Sequence, residues 1–106
     1  MNKRILVFSA TYNESQNIKS FLDSIEKLNL DIDLLLIDDN SPDKTWQIIQ
    51  DHSKYKKNVN LIIRKSKEGL DTAHKMAYEY ALKNNYDNLI TVCRTLQEFF
   101  RVSFAG

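Results

Sequence analysis

Residues 34–46 read LLLIDDNSPDKTW, an apolar run that ends in two adjacent carboxylates, Asp38 and Asp39, and then turns. A short Leu- and Ile-rich run closed by Asp-Asn-Ser-Pro reads as a strand covered on both faces that stops at an edge of its sheet. Residues 32–38 are therefore expected as a buried strand, with Ser41 capping and Pro42 opening the helix behind it. Carboxylates at such a mouth have an ordinary explanation, because Asp, Asn and Ser favour turns and an acid near a helix start is stabilised by the helix dipole. They also stand where open α/β sheets meet their ligands. Both readings hold at this point.

Outward from that run, residues 4–10 (RILVFSA), 59–64 (VNLIIR) and 88–92 (NLITV) read as further strands. Between them Ile18, Phe21, Leu22, Ile25 and Leu28 recur at helical spacing, with Asn13 and Gln16 as a capping box. Trp46 and Ile49 are expected to face the sheet from a second helix. After Gly69, the residues Leu70, Ala73, Ala77 and Tyr80 form the apolar stripe of a third. Strand and helix alternate throughout, which predicts an α/β fold: a Rossmann-like parallel sheet with helices on both faces.

The composition suits one soluble domain, with 42% hydrophobic and 27% charged residues in 106. Fifteen Lys and Arg against fourteen Asp and Glu leave a net charge of +1, so no global field points to nucleic acid or a membrane surface. The lone cysteine, Cys93, has no partner for an internal disulfide, which suggests a reducing compartment. The opening MNKRILVFSATYN has too short an apolar run for a signal peptide, and no stretch reaches the length of a membrane span. A cytoplasmic location is the expectation.

In a parallel sheet the loops after residues 10, 37, 64 and 92 converge on one edge. That edge gathers Tyr12, Asn13 and Glu14 beside Asp38 and Asp39. A tyrosine there can stack on a nucleobase while a carboxylate accepts its N–H groups, worth about 0.5–1.5 and 1.5–3 kcal/mol. Taken singly, Tyr12 also reads as a loop aromatic and Glu14 as a first-turn helix acid. With Gly69 and Gly106 as the only glycines, neither a dinucleotide fingerprint nor a P-loop is present. A phosphate would need a metal or basic side chains, and Arg64, Lys65 and Lys67 follow the third strand. His52 and His74 have no partner acid or nucleophile in sequence.

The segments ATYNESQNI, LLLIDDNSPDKT, RKSKEGLDTAH and YDNLITV, in that order, resemble the inverting family 2 glycosyltransferases of the GT-A fold, especially their dolichol-phosphate mannosyltransferase-like branch. The resemblance spans about residues 4–92. It implies that residues 1–92 form the nucleotide-sugar-binding βα half of a glycosyltransferase domain, with 93–106 a divergent tail. It further implies that Ala10, Tyr12 and Glu14 line a nucleoside, Tyr12 against the base, and that Ile37 and Asp39 complete the pocket, Asp39 accepting a base N–H. Asp38 braces the loop, and Arg64 and Lys67 are the candidate diphosphate contacts. The partner implied is a UDP- or GDP-type sugar, transferred in some members to a polyprenyl phosphate.

Two features depart from the family pattern. Asp71 stands where relatives commonly have a second glycine, and Ala10 replaces a frequent proline. More consequentially, relatives place an Asp-x-Asp motif just past the fourth strand to hold Mg²⁺ or Mn²⁺, whereas this chain continues CRTLQEFFRVSFAG. Cys93 and Arg94 do not replace two hard oxygen ligands. The expectation is a chain that binds no metal and is catalytically incompetent alone, with a non-catalytic βα remnant or interaction module as the alternative. A phosphoacceptor receiver domain fits less well, because Arg64 occupies the position of its phosphorylated aspartate. In the tail, Leu96, Phe99 and Phe100 suit a helix while Phe100, Val102 and Phe104 alternate as in a strand. Either would cover a sheet edge that, left bare, invites a homodimer.

Overall fold

A computed structural model describes residues 4–66 and 68–92 with their side chains, and the backbone of residues 93 and 98–103. The elements in chain order are β1 (Ile5–Thr11), α1 (Ile18–Leu28), β2 (Asp33–Asp38), α2 (Thr45–Asp51), β3 (Val59–Ile63), α3 (Leu70–Lys83), β4 (Asn88–Cys93) and β5 (Glu98–Ser103). They build one sheet of order β3-β2-β1-β4-β5, in which β1 to β4 are mutually parallel. The order reverses direction between β1 and β4, the switch point at which α/β sheets open a crevice.

The twofold alternation of side chains along β1 and β2 sorts the core into two layers. Leu6, Phe8, Leu35 and Ile37 pack with Ala73, Ala77 and Ala81 of α3. Val7, Leu34 and Leu36 pack on the other side with Ile18 and Leu22 of α1 and Ile49 of α2. All of these side chains are buried, each large one contributing about 1.5–3 kcal/mol. At the lower edge the Tyr86 hydroxyl donates to Asp33 at 2.6 Å, and Arg4 lies 4.3 Å over the Tyr86 ring. Burial, and then that hydrogen bond, push the Tyr86 phenol well above its ordinary pKa. The contact ties the α3–β4 turn to the start of β2.

Local details depart from expectation for physical reasons. The residue flanking α1 is Asn17, without a side-chain cap, because the loop before it is held from elsewhere. Helix α2 begins at Thr45 rather than at Pro42, since Ser41–Lys44 closes a turn through the Lys44 N–H and the Ser41 carbonyl at 3.0 Å. In α3 the buried stripe runs Ala73, Ala77, Ala81, while Leu70 is 52% exposed. Small side chains at that spacing let the helix lie close on the sheet.

Strand β5 answers the ambiguity of the tail. It runs antiparallel to β4, from Cys93 opposite Glu98 to Asn88 opposite Ser103. The sheet is thus mixed at one edge, and the tail covers the free edge of β4 as a strand. Phe104 lies outside the described residues. Among those residues no helix is long and apolar enough to cross a membrane.

Candidate functional site

Register positions the site. Ala10 is paired with Ile37 and Thr11 with Asp38, so Tyr12 and Asp39 leave the sheet as neighbours at its carboxyl edge. The Asp39 N–H reaches the Thr11 carbonyl at 3.4 Å. On the other side Asp38 is paired with Ile63, and the Arg64 N–H donates to the Asp38 carbonyl at 2.8 Å. Three consecutive parallel strands therefore deliver Tyr12, Asp39 and Arg64 side by side.

The adjacent carboxylates divide between the two faces of the sheet, as successive residues of a strand must. Asp38, wholly buried, turns to the α1–α2 side. There it accepts the Thr11 hydroxyl at 2.6 Å, the Ser41 N–H at 2.8 Å and the Ser41 hydroxyl at 2.7 Å. It braces the loop. Asp39 turns to the α3 side and takes a two-pronged contact from Arg64, Nε at 2.5 Å and Nη2 at 2.8 Å, with the Glu68 N–H at 3.2 Å.

Arg64 is only 5% exposed. Its Nη1 donates to the Thr72 hydroxyl at 2.6 Å and its Nη2 to the Gly69 carbonyl at 3.0 Å. The hydrogen bond to Asp39 raises the guanidinium pKa above its ordinary value. One side chain thus ties the ends of β2 and β3 to the first turn of α3. The Gly69 carbonyl is presented by a backbone at φ +96°, a conformation that glycine adopts without penalty. A buried fork-to-carboxylate contact sets the Asp39 oxygens in one orientation.

Of the other residues singled out from sequence, Ala10 is half-buried against the α3-side core and Ile37 is fully inside it. Tyr12 is 37% exposed, the most open member of the group. Glu14 is half-buried, donating its N–H to the Thr45 hydroxyl at 2.9 Å and accepting the Asn17 and Ile18 N–H groups on its carbonyl. Lys67 lies outside the described residues. Arg64, expected to face a diphosphate, has its guanidinium turned inward onto Asp39, Thr72 and Gly69.

Sequence reasoning missed Asp43, Thr45 and Thr72. Ser41 Oγ, Thr45 Oγ1 and Asp43 Oδ2 accept the N–H groups of Asn13, Glu14 and Ser15 at 3.0, 2.9 and 3.0 Å. Burial pushes the Asp43 carboxyl up, but hydrogen bonds from Thr45 and Ser15 outweigh it and hold its pKa below the ordinary value. The signal was present in the i, i+2, i+4 spacing of Ser, Asp and Thr, the pattern of a hydrogen-bonding strip rather than of a single helix cap.

Away from this edge, Asp23, Glu26 and His52 bring three donor atoms within 4.8 Å of one another. The His52 Nδ1 accepts the Lys54 N–H at 3.3 Å, so in the neutral ring the proton sits on Nε2, which faces Asp23 at 3.0 Å and Glu26 at 3.6 Å. Ligation through Nε2 would require that proton to leave and the bond from Lys54 to Nδ1 to be given up. The trio is a hydrogen-bonded link between α1 and the end of α2.

Comparison with known proteins draws on this whole βα layer. The family model described as Glycosyl transferase family 2 matches residues 6–92. An undecaprenyl-phosphate mannosyltransferase of Micrococcus luteus is 29% identical over 87 residues, covering 82% of this chain and 36% of that protein. A dolichol-phosphate mannosyltransferase of Pyrococcus furiosus is 34% identical over 73 residues, covering 66% of this chain and 20% of that protein. The solved mannosyltransferase PcManGT of Pyrobaculum calidifontis, in complex with GDP-Man and Mn²⁺, superimposes with a TM-score of 0.74 at 20% identity, over 87% of this chain and 27% of its own. The chain therefore spans about a third or less of the length of these relatives.

Proposed function

The chain belongs to glycosyl transferase family 2, and from that premise we propose that its carboxyl sheet edge is the nucleotide-binding part of a sugar-transfer site, taking a nucleoside diphosphate sugar of the UDP or GDP type. The observation that carries the reading is the register that sets Tyr12 beside Asp39 at the mouths of two parallel strands. Tyr12 offers a ring face to the base, and Asp39, oriented by Arg64, offers a carboxylate oxygen to a base N–H. Ala10, Glu14 and Ile37 shape the floor and wall between them. The neighbouring PcManGT structure contains GDP-Man, which supports a nucleotide sugar as the ligand class. A cytoplasmic setting, in keeping with a lone cysteine, is part of the same proposal.

By the resemblance to the inverting family, sugar transfer would proceed by attack of an acceptor oxygen on the anomeric carbon as the diphosphate departs, inverting that centre. The Mn²⁺ in the PcManGT complex raises the question of a metal here. Residues 93–97, Cys-Arg-Thr-Leu-Gln, contain no carboxylate, and the single acid of the tail is Glu98, paired with Cys93, where the family pattern has two. A thiol and a guanidinium do not suit a hard divalent cation that prefers oxygen donors. The donor set does not fit the ion, and we assign this chain nucleotide binding without sugar transfer.

Calorimetric titration with UDP, GDP and their sugars, with and without Mn²⁺, tests the proposal. The expected result is weak binding insensitive to Mn²⁺, reduced about 10- to 100-fold by Asp39→Ala through loss of a charge-assisted hydrogen bond. One observation favours a second reading, a non-catalytic interaction module: both Asp39 oxygens are already engaged by Arg64. Absence of binding by any nucleotide supports that module. Sugar transfer by this chain alone overturns the assignment of binding without catalysis.

A further inference from the structure

We propose that Ser41, Asp43 and Thr45 are positioning residues that clamp the loop carrying Tyr12 and Glu14 into the shape that receives a nucleotide; this rests on the nucleotide-binding reading above. Three successive backbone N–H groups, of Asn13, Glu14 and Ser15, are each accepted by a different side chain of the β2–α2 segment, at 3.0, 2.9 and 3.0 Å. Amides left unpaired in a half-buried loop are costly, and no helix cap of α1 serves here, since Asn17 makes no side-chain capping bond. Instead the neighbouring loop supplies the acceptors across the sheet edge.

The clamp is itself braced. The Ser41 hydroxyl donates to Asp38 Oδ1 at 2.7 Å, which leaves its lone pairs directed at the Asn13 N–H. The Thr45 hydroxyl donates to Asp43 Oδ1 at 2.6 Å, which does the same for the Glu14 N–H. Asp43 then commits its second oxygen to Ser15. Each hydroxyl has one proton and gives it to a carboxylate, so both are set as acceptors toward the loop. Asn13 sits at φ 54°, a left-handed conformation that asparagine adopts more readily than other non-glycine residues, and its N–H is fixed there by Ser41. The residue on one side of it is Tyr12 and on the other Glu14, so the clamp sets the geometry of both proposed nucleoside contacts.

Two disruptive variants, one restoring variant and two readouts decide the matter in the whole chain. Thr45→Val preserves the shape of a fully buried side chain but removes the acceptor, and Thr45→Ser restores it. Asp43→Ala acts at an exposed position and so spares the core if the buried variant fails to fold. Amide hydrogen exchange at residues 13–15 is expected to speed up about tenfold in Thr45→Val and Asp43→Ala, in line with one lost hydrogen bond. UDP or GDP affinity by calorimetry is expected to fall about tenfold, with Thr45→Ser returning it to near the unaltered level. A chain that binds nucleotide while both variants bind it equally well overturns the positioning role and leaves the nucleotide site standing. An unaltered chain that binds neither nucleotide overturns the functional reading, and with it the purpose assigned to the clamp.

Discussion

Arg64→Ala is the perturbation that bears most directly on how the site is held. The side chain makes two contacts with the Asp39 carboxylate, one with Thr72 and one with the Gly69 carbonyl, and is 5% exposed. Removing it leaves Asp39 charged and only 11% exposed, with the Glu68 N–H as its remaining partner in this group. Breaking a buried ion pair from one side costs about 3–5 kcal/mol, and the position of Asp39 at a loop edge, where water can enter, favours the lower figure of about 3. For a domain of this size that corresponds to a fall in Tm of about 12 °C or more. The companion variant Asp39→Ala leaves an unmatched guanidinium, while the double variant leaves neither charge. Urea unfolding followed by circular dichroism across the four proteins should therefore show a coupling of about 2 kcal/mol. Additivity within about 0.5 kcal/mol would refute the claim that Arg64 and Asp39 act as one unit.

Gly69→Ala meets open space, with nothing within 4 Å of the added methyl, so its cost of about 1–3 kcal/mol should come from the backbone at φ +96° alone; a stability unchanged in urea would contradict that. Leu35→Ala, wholly buried between β2 and α3, should cost about 2–5 kcal/mol by chemical denaturation, with a value under about 1 showing that the core collapses around the gap. Asp23, held low by hydrogen bonds from Lys19 and then His52, and Asp43, held low by Thr45 and Ser15 against the opposing effect of burial, both bind protons less readily folded than unfolded. Their stabilisation is thus complete above about pH 4 and lost as pH falls through the folded values. Urea midpoints between pH 5 and 2.5 should decline more gently in Asp43→Asn than in the unaltered chain, and parallel slopes would remove Asp43 from the account.

Much of this architecture was legible because it is written in local periodicity. The four parallel strands and α1 follow apolar runs and helical spacing, and the placement of Tyr12 beside Asp39 follows from parallel register once those strands are recognised. What escaped was governed by partners distant in the chain. Ser41, Pro42 and Asp43 look like the start of a helix, yet two of their side chains serve amides 28 residues earlier. Arg64 stands in a basic run that reads as solvated, and nothing near it in sequence reveals that Asp39, 25 residues away, draws it inside. In the tail, helical and alternating patterns run through the same short segment and share Phe100. Pairing with β4 decided for the strand.

The division of duties between Asp38 and Asp39 is a matter of parity. Asp38 is the last residue of β2 and Asp39 the first beyond it, and each finds its partners on the side its step dictates. Deleting or inserting a single residue within β2 would exchange the two, offering Thr11 and Ser41 the acid meant for Arg64 and turning Leu35 and Ile37 toward the wrong helices. A single-residue change in this strand must be absorbed by a bulge or by the preceding loop if the two acids are to keep their partners, a constraint that bears on any graft through this segment.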